Sequence, residues 1–284
     1  MDKTIIKGQT FSGERPLFES HNLRLEEVYI GTGESAIKEC SDIEAVNCRF
    51  EGNYPFWHVN RFIIDNCTFL KGARSALWYS SDLKMTNTVI DAPKMFREME
   101  NIQIENVQVN DADEYFWRCN NIVVKNLTLH EGTYPFMFCN NIKVDGLVSD
   151  SKYVFQYVKN VEIRNAKITT KDALWEVENV TVYDSELNGE YLGWHSKNLR
   201  LVNCHITGEQ PLCYAEDLVL ENCTFGADCD RAFEYSTLNA DIRGAITNIK
   251  NPKSGRIVAD SIGSITIDAN IKAPANCIIE ERKK

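Results

Sequence analysis

The chain has 284 residues, of which 43% are hydrophobic and 25% charged, and its formal net charge at pH 7 is −10. Such an acidic chain is not expected to bind nucleic acid, because phosphate recognition needs a cluster of basic residues. The sequence has no basic and apolar leader and no apolar run of bilayer length, so we expect no membrane association.

A repeat of about twenty residues runs through most of the chain. Each copy reads apolar-x-apolar-x-Asn-apolar-x-apolar, as in Phe62–Phe69. Its first apolar residue recurs every 19–21 residues, at Leu23, Ile43, Phe62, Leu83, Ile102, Ile122, Ile142, Val161, Val180, Leu199 and Leu218. A fixed period of this length is typical of solenoids, in which each repeat stacks on its neighbours.

The pattern within each repeat predicts strands. Apolar residues alternate with period two, as Ile102, Ile104, Val107 and Val109 do. Alternation of β-branched residues is typical of strands, whereas a helix would show a longer period. The sequence therefore predicts an all-β fold, a parallel β-helix of about 12 coils with repeats of about 19–20 residues.

We expect a single domain over residues 1–284. Residues 1–15 are predicted to form an N-terminal cap, residues 16–225 the regular coils, and residues 226–284 degenerate coils with a C-terminal cap. Caps are expected because an open end of a β-helix is an unpaired sheet edge that invites aggregation.

Inward and corner positions repeat from coil to coil. A large apolar residue lies six residues before most repeat starts, as Phe116 and Phe136 do, and predicts a core ladder. Asn or Asp recurs at two other positions, for example at Asn101 and Asn106. Asn tolerates the left-handed backbone conformation and can hydrogen-bond to its copy in the next coil, so we interpret these residues as corners.

The ten cysteines follow the coil period and include no CxxC pair. One predicted inward ladder holds Cys48, Cys67, Cys204 and Cys223, and another holds Cys40, Cys119 and Cys139. We interpret them as small buried residues and free thiols, not as zinc ligands. The sequence therefore predicts no metal and no cofactor, and a reducing, cytoplasmic location.

One outward face carries the functional signal. Each coil has a pair of residues between two inward ladders, where the chain is expected to bend, and all five tryptophans belong to these pairs. This set, called the aromatic stripe below, comprises Trp57-His58, Trp78-Tyr79, Arg97-Glu98, Trp117-Arg118, Met137-Phe138, Gln156-Tyr157, Trp175-Glu176, Trp194-His195 and Cys213-Tyr214. Contiguous exposed aromatic surface usually marks a binding site or an interface.

We predict that the stripe binds an extended ligand such as a carbohydrate. Aromatic rings can pack on the C–H face of a sugar while charged groups bind its hydroxyls. The predicted ligand-binding residues are Trp57, His58, Arg74, Trp78, Tyr79, Arg97, Trp117 and Arg118. Two alternatives stay open: the tryptophans fill a corner of the core, or the stripe is a protein-interaction or self-association surface of a homo-oligomer.

A catalytic function is a third hypothesis. The chain lacks a phosphate-binding glycine loop, an HExxH motif and a GxSxG elbow. Carboxylates in neighbouring coils could still form the acid–base pair of a carbohydrate-active hydrolase or lyase. The candidate residues are Glu98 with Asp113 or Glu114, and His195, which is expected beside Glu176.

Several short segments carry a family resemblance. They are Glu14–Phe18, Tyr54–His58, Ala92–Arg97, Gly189–Trp194 and Gln210–Tyr214. Together they resemble a bacterial family of uncharacterised proteins, domain of unknown function 3737, over nearly the whole chain. The resemblance implies a single-stranded, right-handed β-helix of the pectate-lyase-like kind. It implies no particular activity and no catalytic residue.

Overall fold

The structure is a computed structural model that describes residues 3–271 and 275–283. The described residues form strands joined by turns, without a helix among them. The fold is a right-handed, parallel β-solenoid of about 14 turns, which confirms the predicted fold class. The chain divides into two compact units, an N-terminal unit (Met1–Lys143) and a C-terminal unit (Val144–Lys284).

The N-terminal unit stacks its strands in parallel and in register. Its strands are β1 (Thr4–Lys7), β2 (Thr10–Glu14), β3 (His21–Glu26), β4 (Tyr29–Glu34), β5 (Ser41–Val46), β6 (Arg49–Phe50), β7 (Asn60–Asp65), β8 (Thr68–Phe69), β9 (Ser81–Ile90), β10 (Glu100–Val109) and β11 (Asn120–Leu129). The strand β12 (Asn140–Ser149) contains the boundary between the units. Ile102 lies between Leu83 and Ile122 of the adjacent strands, so the repeat seen in the sequence is the structural register.

The C-terminal unit is built in the same way. Its strands are β13 (Lys159–Thr169), β14 (Glu178–Tyr183), β15 (Glu186–Asn188), β16 (Lys197–Val202), β17 (His205–Thr207), β18 (Leu218–Phe225), β19 (Thr237–Arg243), β20 (Ala245–Lys250), β21 (Ser254–Ala259), β22 (Ser261–Thr266) and β23 (Asn276–Glu281). Val180 pairs with Val161 on one side and Leu199 on the other, again in register.

Stacked phenylalanines form the centre of the N-terminal core. The ring centroids of Phe96 and Phe116 lie 4.4 Å apart, and those of Phe116 and Phe136 lie 4.5 Å apart, with planes 5° from parallel. All three side chains are buried. The predicted inward ladder is therefore confirmed at these positions, and each ring excludes water from the next.

The same ladder accommodates one glycine in the C-terminal unit. Gly193 has a φ of +67°, and a Cβ atom there would lie 2.7 Å from Cδ2 of Leu212. The leucine of the adjacent turn therefore fills the space that a side chain at this position would need.

Left-handed residues form the corners. Both predicted Asn/Asp ladders have positive φ throughout, for example 59° at Asn101 and 54° at Asn106. The Asn126 amide nitrogen donates to Oδ1 of Asn106 at 3.0 Å, and that of Asn106 donates to Oδ1 of Asn87 at 3.3 Å. The interpretation of these residues as corners is confirmed.

The predicted number of coils is too low, because about 14 turns are present and about 12 were expected. The expected N-terminal cap contains β1 and β2, which pair with β3 and β4 and so form a further turn. Beyond residue 226 the turns change length: Leu238 pairs with Gly255, 17 residues later, and Arg256 pairs with Ile278, 22 residues later. Irregular turn length conceals the repeat from a search for a fixed period.

The last turns leave part of the core pattern uncovered. β22 pairs with β20 alone, and Ile265 of β22 lies beside the buried Ile249. Ile265 is nevertheless 49% exposed, because no further described strand lies on it. On the adjoining sheet, Arg282 follows β23, and its Nε donates a hydrogen bond to Oδ1 of Asp260 at 2.7 Å.

The stacked core predicts a large effect of Phe116→Ala. Removal of a buried ring between two others should lower the free energy of unfolding by about 3–5 kcal/mol through the cavity left behind. Val123→Thr is the matched control, because Val123 is 50% exposed on β11 and should change stability by less than about 1 kcal/mol. Urea unfolding followed by circular dichroism measures both, and equal losses would contradict the inward assignment.

The cysteines predict a second result. All ten are free, nine are buried, and only Cys277 is half-buried. Burial raises the pKa of the Cys213 and Cys229 thiols to about 12, which adds to their protection. Iodoacetamide in mildly alkaline buffer should modify Cys277 before any other cysteine in the native protein, and all ten after denaturation. Rapid native labelling of Cys213, or a disulfide in freshly prepared protein, would contradict this. The cytoplasmic location stays a prediction.

Candidate functional site

The backbone turns both members of most stripe pairs outward, but Gln156 and Cys213, which were expected to face outward, are buried. In the N-terminal unit the second member is always left-handed, with φ of 56° at His58, 61° at Tyr79, 50° at Glu98 and 54° at Arg118. Its N–H donates to the carbonyl of the first member in the next turn, as from His58 to Trp78 at 3.1 Å. This bond fixes the spacing of the stripe side chains to that of the turns.

The first members form an inner column of rings. Trp57 and Trp78 stack with centroids 5.6 Å apart and planes 10° from parallel. Their indole N–H groups donate to backbone carbonyls, Trp57 to Ser75 at 2.5 Å and Trp78 to Lys94 at 2.6 Å. Both are half-buried on the outer wall and outside the core. Because each ring covers its neighbour's face, the column presents mainly indole edges to solvent.

Arg97 continues this column in place of a tryptophan. Its guanidinium carbon lies 4.3 Å from the ring centroid of Trp78 and 5.4 Å from that of Trp117. Nη2 of Arg97 binds the Glu114 carboxylate at 2.5 Å, and Nζ of Lys94 binds the same carboxylate at 3.0 Å. A planar guanidinium can stack on an indole and bind a carboxylate simultaneously, so Arg97 links Trp78 to Trp117.

The second members form an outer column that is more exposed. His58 and Tyr79 stack with centroids 5.2 Å apart, and Tyr79 is 41% exposed. Glu98 follows and is exposed, and the guanidinium of Arg118 lies 5.7 Å from the Phe138 ring centroid. A ligand on this face would therefore meet an imidazole, a phenol, a carboxylate and a guanidinium in successive turns.

The structure gathers seven of the eight predicted ligand-binding residues into these two columns. They are Trp57, His58, Trp78, Tyr79, Arg97, Trp117 and Arg118. The eighth, Arg74, is exposed at the corner that precedes Trp78, and its carbonyl accepts the N–H of Tyr54 at 3.2 Å.

Two of the three candidate catalytic carboxylates of this unit, Asp113 and Glu114, make polar contacts with neighbouring side chains. Oδ1 of Asp113 accepts from the Thr133 hydroxyl at 2.7 Å, and its Oδ2 lies 3.8 Å from Nζ of Lys94. Glu114 is held by Lys94 and Arg97 as described above, whereas Glu98 lies in the outer column. The structure thus gives Asp113 and Glu114 cationic partners, and their role in catalysis stays a prediction.

His195 belongs to the C-terminal unit. Its ring stacks on Tyr214 with centroids 4.9 Å apart and planes 15° from parallel. Oε1 of Glu176 accepts from the Trp175 indole nitrogen at 3.4 Å, and no ion pair joins it to His195 within the described part of the chain. The expected contact between His195 and Glu176 is thus replaced by a ring stack.

Several residues that sequence reasoning did not select contact tryptophans of the stripe. Lys38 lies with its Nζ 5.8 Å from the ring centroid of Trp57, and Tyr54 lies 4.6 Å from the same ring. Tyr191 occupies the corresponding corner beside Trp194, at 5.0 Å. The signal that could have identified these tyrosines is their fixed offset of three residues before a tryptophan.

Concave surface lies elsewhere on the N-terminal unit. An open groove of about 410 Å³ is lined by Asp42, Arg61, Ile63, Asp82 and Lys84 among others, none of which belongs to the stripe. Among residues 3–271 and 275–283, no cluster of three or more His, Cys, Asp or Glu side chains could hold a metal ion. The same residues include no helix suited to crossing a bilayer.

A protein-family model matches nearly the entire chain. It is described as Protein of unknown function (DUF3737) and covers residues 4–280. The chain belongs to this family. No curated protein matches the DUF3737 chain significantly.

Solved structures similar to this DUF3737 protein are β-helix proteins. PfbA, a surface adhesin of Streptococcus pneumoniae, is 12% identical with a TM-score of 0.47, over 94% of this chain and 85% of that one. A tailspike of E. coli bacteriophage HK620, in complex with a pentasaccharide, is 10% identical with a TM-score of 0.46, over 92% and 67%. The A-module of Azotobacter vinelandii mannuronan C-5 epimerase AlgE4 is 10% identical with a TM-score of 0.31, over 98% and 91%. Similarity this low carries no information about ligand or activity.

The inner column predicts a specific effect of Arg97→Lys. A lysine ammonium cannot lie flat between two indoles, so the stack should loosen and the free energy of unfolding should fall by about 1 kcal/mol. The near-UV circular dichroism of the tryptophans should weaken as their geometry becomes variable. Arg74→Lys is the control, because Arg74 is exposed and outside the columns. Unchanged spectra for Arg97→Lys would show that the guanidinium does not order the rings.

Proposed function

We propose that this protein binds an extended carbohydrate along the aromatic stripe of its N-terminal unit. The observation that carries the proposal is the double column, in which an aromatic ring or a charged group faces outward in every turn from Trp57 to Arg118. Successive turns lie about 4.8 Å apart, so a linear ligand can repeat its contacts from turn to turn.

The two columns contribute different chemistry. Tyr79 and His58 combine an apolar ring with a polar tip, which suits a sugar that has C–H faces and hydroxyl edges. Glu98 and Arg118 supply an acceptor and a donor in the same column. The stacked indoles beside them contribute apolar edges and a rigid wall. A surface that is rigid before binding loses less conformational entropy when the ligand binds.

A protein-interaction or self-association surface is the second candidate. The observation that favours it is the stacking of Trp57 on Trp78, because rings that cover each other's faces leave a flat apolar surface of edges. Tryptophan, tyrosine and arginine are also the residues enriched at protein interfaces. A carbohydrate-active enzyme has less support, because Glu114 is engaged by Lys94 and Arg97.

A glycan screen followed by calorimetry tests the proposal. Tyr79→Ala should weaken the binding of a selected glycan by about 1–3 kcal/mol, because it removes a ring of the outer column that is 41% exposed. Trp78→Ala should weaken binding similarly by loosening the wall behind it. Val123→Thr, on β11 outside the stripe, should bind as the wild type does.

Two outcomes would reject carbohydrate binding at this stripe. One is a glycan whose affinity is unchanged by both Tyr79→Ala and Trp78→Ala while both variants remain folded. The other is the absence of any glycan ligand together with a stable dimer in analytical ultracentrifugation that Tyr79→Ala dissociates. The second result would establish the self-association surface instead.

A further inference from the structure

We propose that the C-terminal unit carries a second binding face, centred on His195 and Tyr214, for an uncharged oligosaccharide. Its outer column is a continuous stack of three rings. The centroids of His195 and Tyr214 lie 4.9 Å apart, and those of Tyr214 and Tyr235 lie 5.6 Å apart, with planes 15° and 28° from parallel. His195 is exposed and both tyrosines are half-buried.

A tryptophan pair forms the wall beside this column. Trp175 and Trp194 stack with centroids 5.4 Å apart and planes 24° from parallel. The next turn has the small, fully buried Cys213 at the tryptophan position, and Trp194 there meets the Tyr214 ring at 5.0 Å and a tilt of 60°. The wall therefore ends in this turn, and the tyrosines of the outer column extend beyond it.

The polar atoms of the outer column are available to a ligand. Within the described part of the chain, the ring nitrogens of His195 and the hydroxyls of Tyr214 and Tyr235 make no hydrogen bond to the protein. Burial and the nearby Glu234 carboxylate raise the pKa of Tyr214, so its hydroxyl stays protonated. Three adjacent turns thus offer groups that can donate to and accept from sugar hydroxyls.

Charge decides the class of ligand. The two columns contain no lysine or arginine from Trp175 to Tyr235, and their carboxylates are Glu176 and Glu234. Glu234 is engaged by Nζ of Lys250 at 3.1 Å and by Nδ2 of Asn251 at 3.2 Å. A sugar acid would find no cationic side chain within these columns and would be repelled by the exposed Glu176 carboxylate, whereas a neutral sugar would not.

Cations at the neighbouring corner are already paired. Nζ of Lys171 lies 3.4 Å from Oε2 of Glu190, and Nε of Arg231 lies 2.9 Å from Oδ2 of Asp230. In the N-terminal unit, by contrast, guanidinium groups lie within the columns themselves. The second face is therefore a chemically distinct site. It does not rest on carbohydrate binding by the first, because the two faces share no residue.

A panel of oligosaccharides of equal length tests this face. The neutral members are hexasaccharides of cellulose, starch, mannan, xylan and chitin, and the acidic members are hexagalacturonate and hexamannuronate. At least one neutral member should bind with a Kd of about 1 mM or tighter, and both acidic members should bind at least about tenfold more weakly. Isothermal titration calorimetry with the full chain measures all seven.

Variants locate the binding. Tyr214→Ala should weaken the neutral ligand about tenfold or more, and Tyr214→Phe by a smaller factor, because it keeps the ring and removes the hydroxyl. His195→Ala should also weaken it, and Val123→Thr, on β11 outside both faces, should leave this binding unchanged. Tyr214→Phe and His195→Gln decide the matter if Tyr214→Ala does not fold.

Three results would overturn the second face. They are failure of every neutral hexasaccharide to bind, tighter binding of an acidic one, or neutral binding that survives both Tyr214→Phe and His195→Gln unchanged. A ligand that responds to Tyr79→Ala and to neither of these variants would leave the N-terminal proposal intact and reject this one.

Discussion

The in-register hydrogen bonding of each turn on the next is the constraint on which the rest of the structure depends. It places every side chain about 4.8 Å from its counterpart one repeat away. Like residues therefore accumulate into ladders: phenylalanine at Phe96, Phe116 and Phe136, and asparagine at Asn87, Asn106 and Asn126. Ladders that point inward form the core, ladders of residues with left-handed backbone conformation form the corners, and ladders that point outward form the columns of rings.

The same constraint explains how the stripe is arranged. Rings at the same position of adjacent turns are held close enough to stack, and Trp57 and Trp78 cover each other's faces in this way. Their indole N–H groups reach corner carbonyls, which fixes the orientation of each ring within its column. Where a guanidinium replaces a ring, as at Arg97, the stack persists because a planar cation meets the same geometry. The site is thus a direct product of the fold.

Sequence alone predicted the regular turns because their spacing is nearly constant. It located the Phe116 core ladder, the corner at Asn106 and most of the outward pairs correctly, but not Gln156 and Cys213, which are buried. It predicted degenerate coils after residue 226 without their number, because the spacing there changes from 17 to 22 residues and a fixed period no longer applies. It also could not foresee that Glu114 binds Arg97 or that His195 stacks on Tyr214, since these contacts depend on side-chain direction at a bend.

Strand β22, which pairs with β20 alone, illustrates how stacked turns differ from a closed sheet. A β-barrel fixes its strand number by geometry, because the first strand must pair with the last. Here Ile265 continues the buried position of Ile249 and is 49% exposed, because no further described strand lies on it. Whole repeats can therefore be gained or lost without disturbing the register of those that remain. The length of a binding column in such a protein is set by repeat number, and can change in evolution one turn at a time.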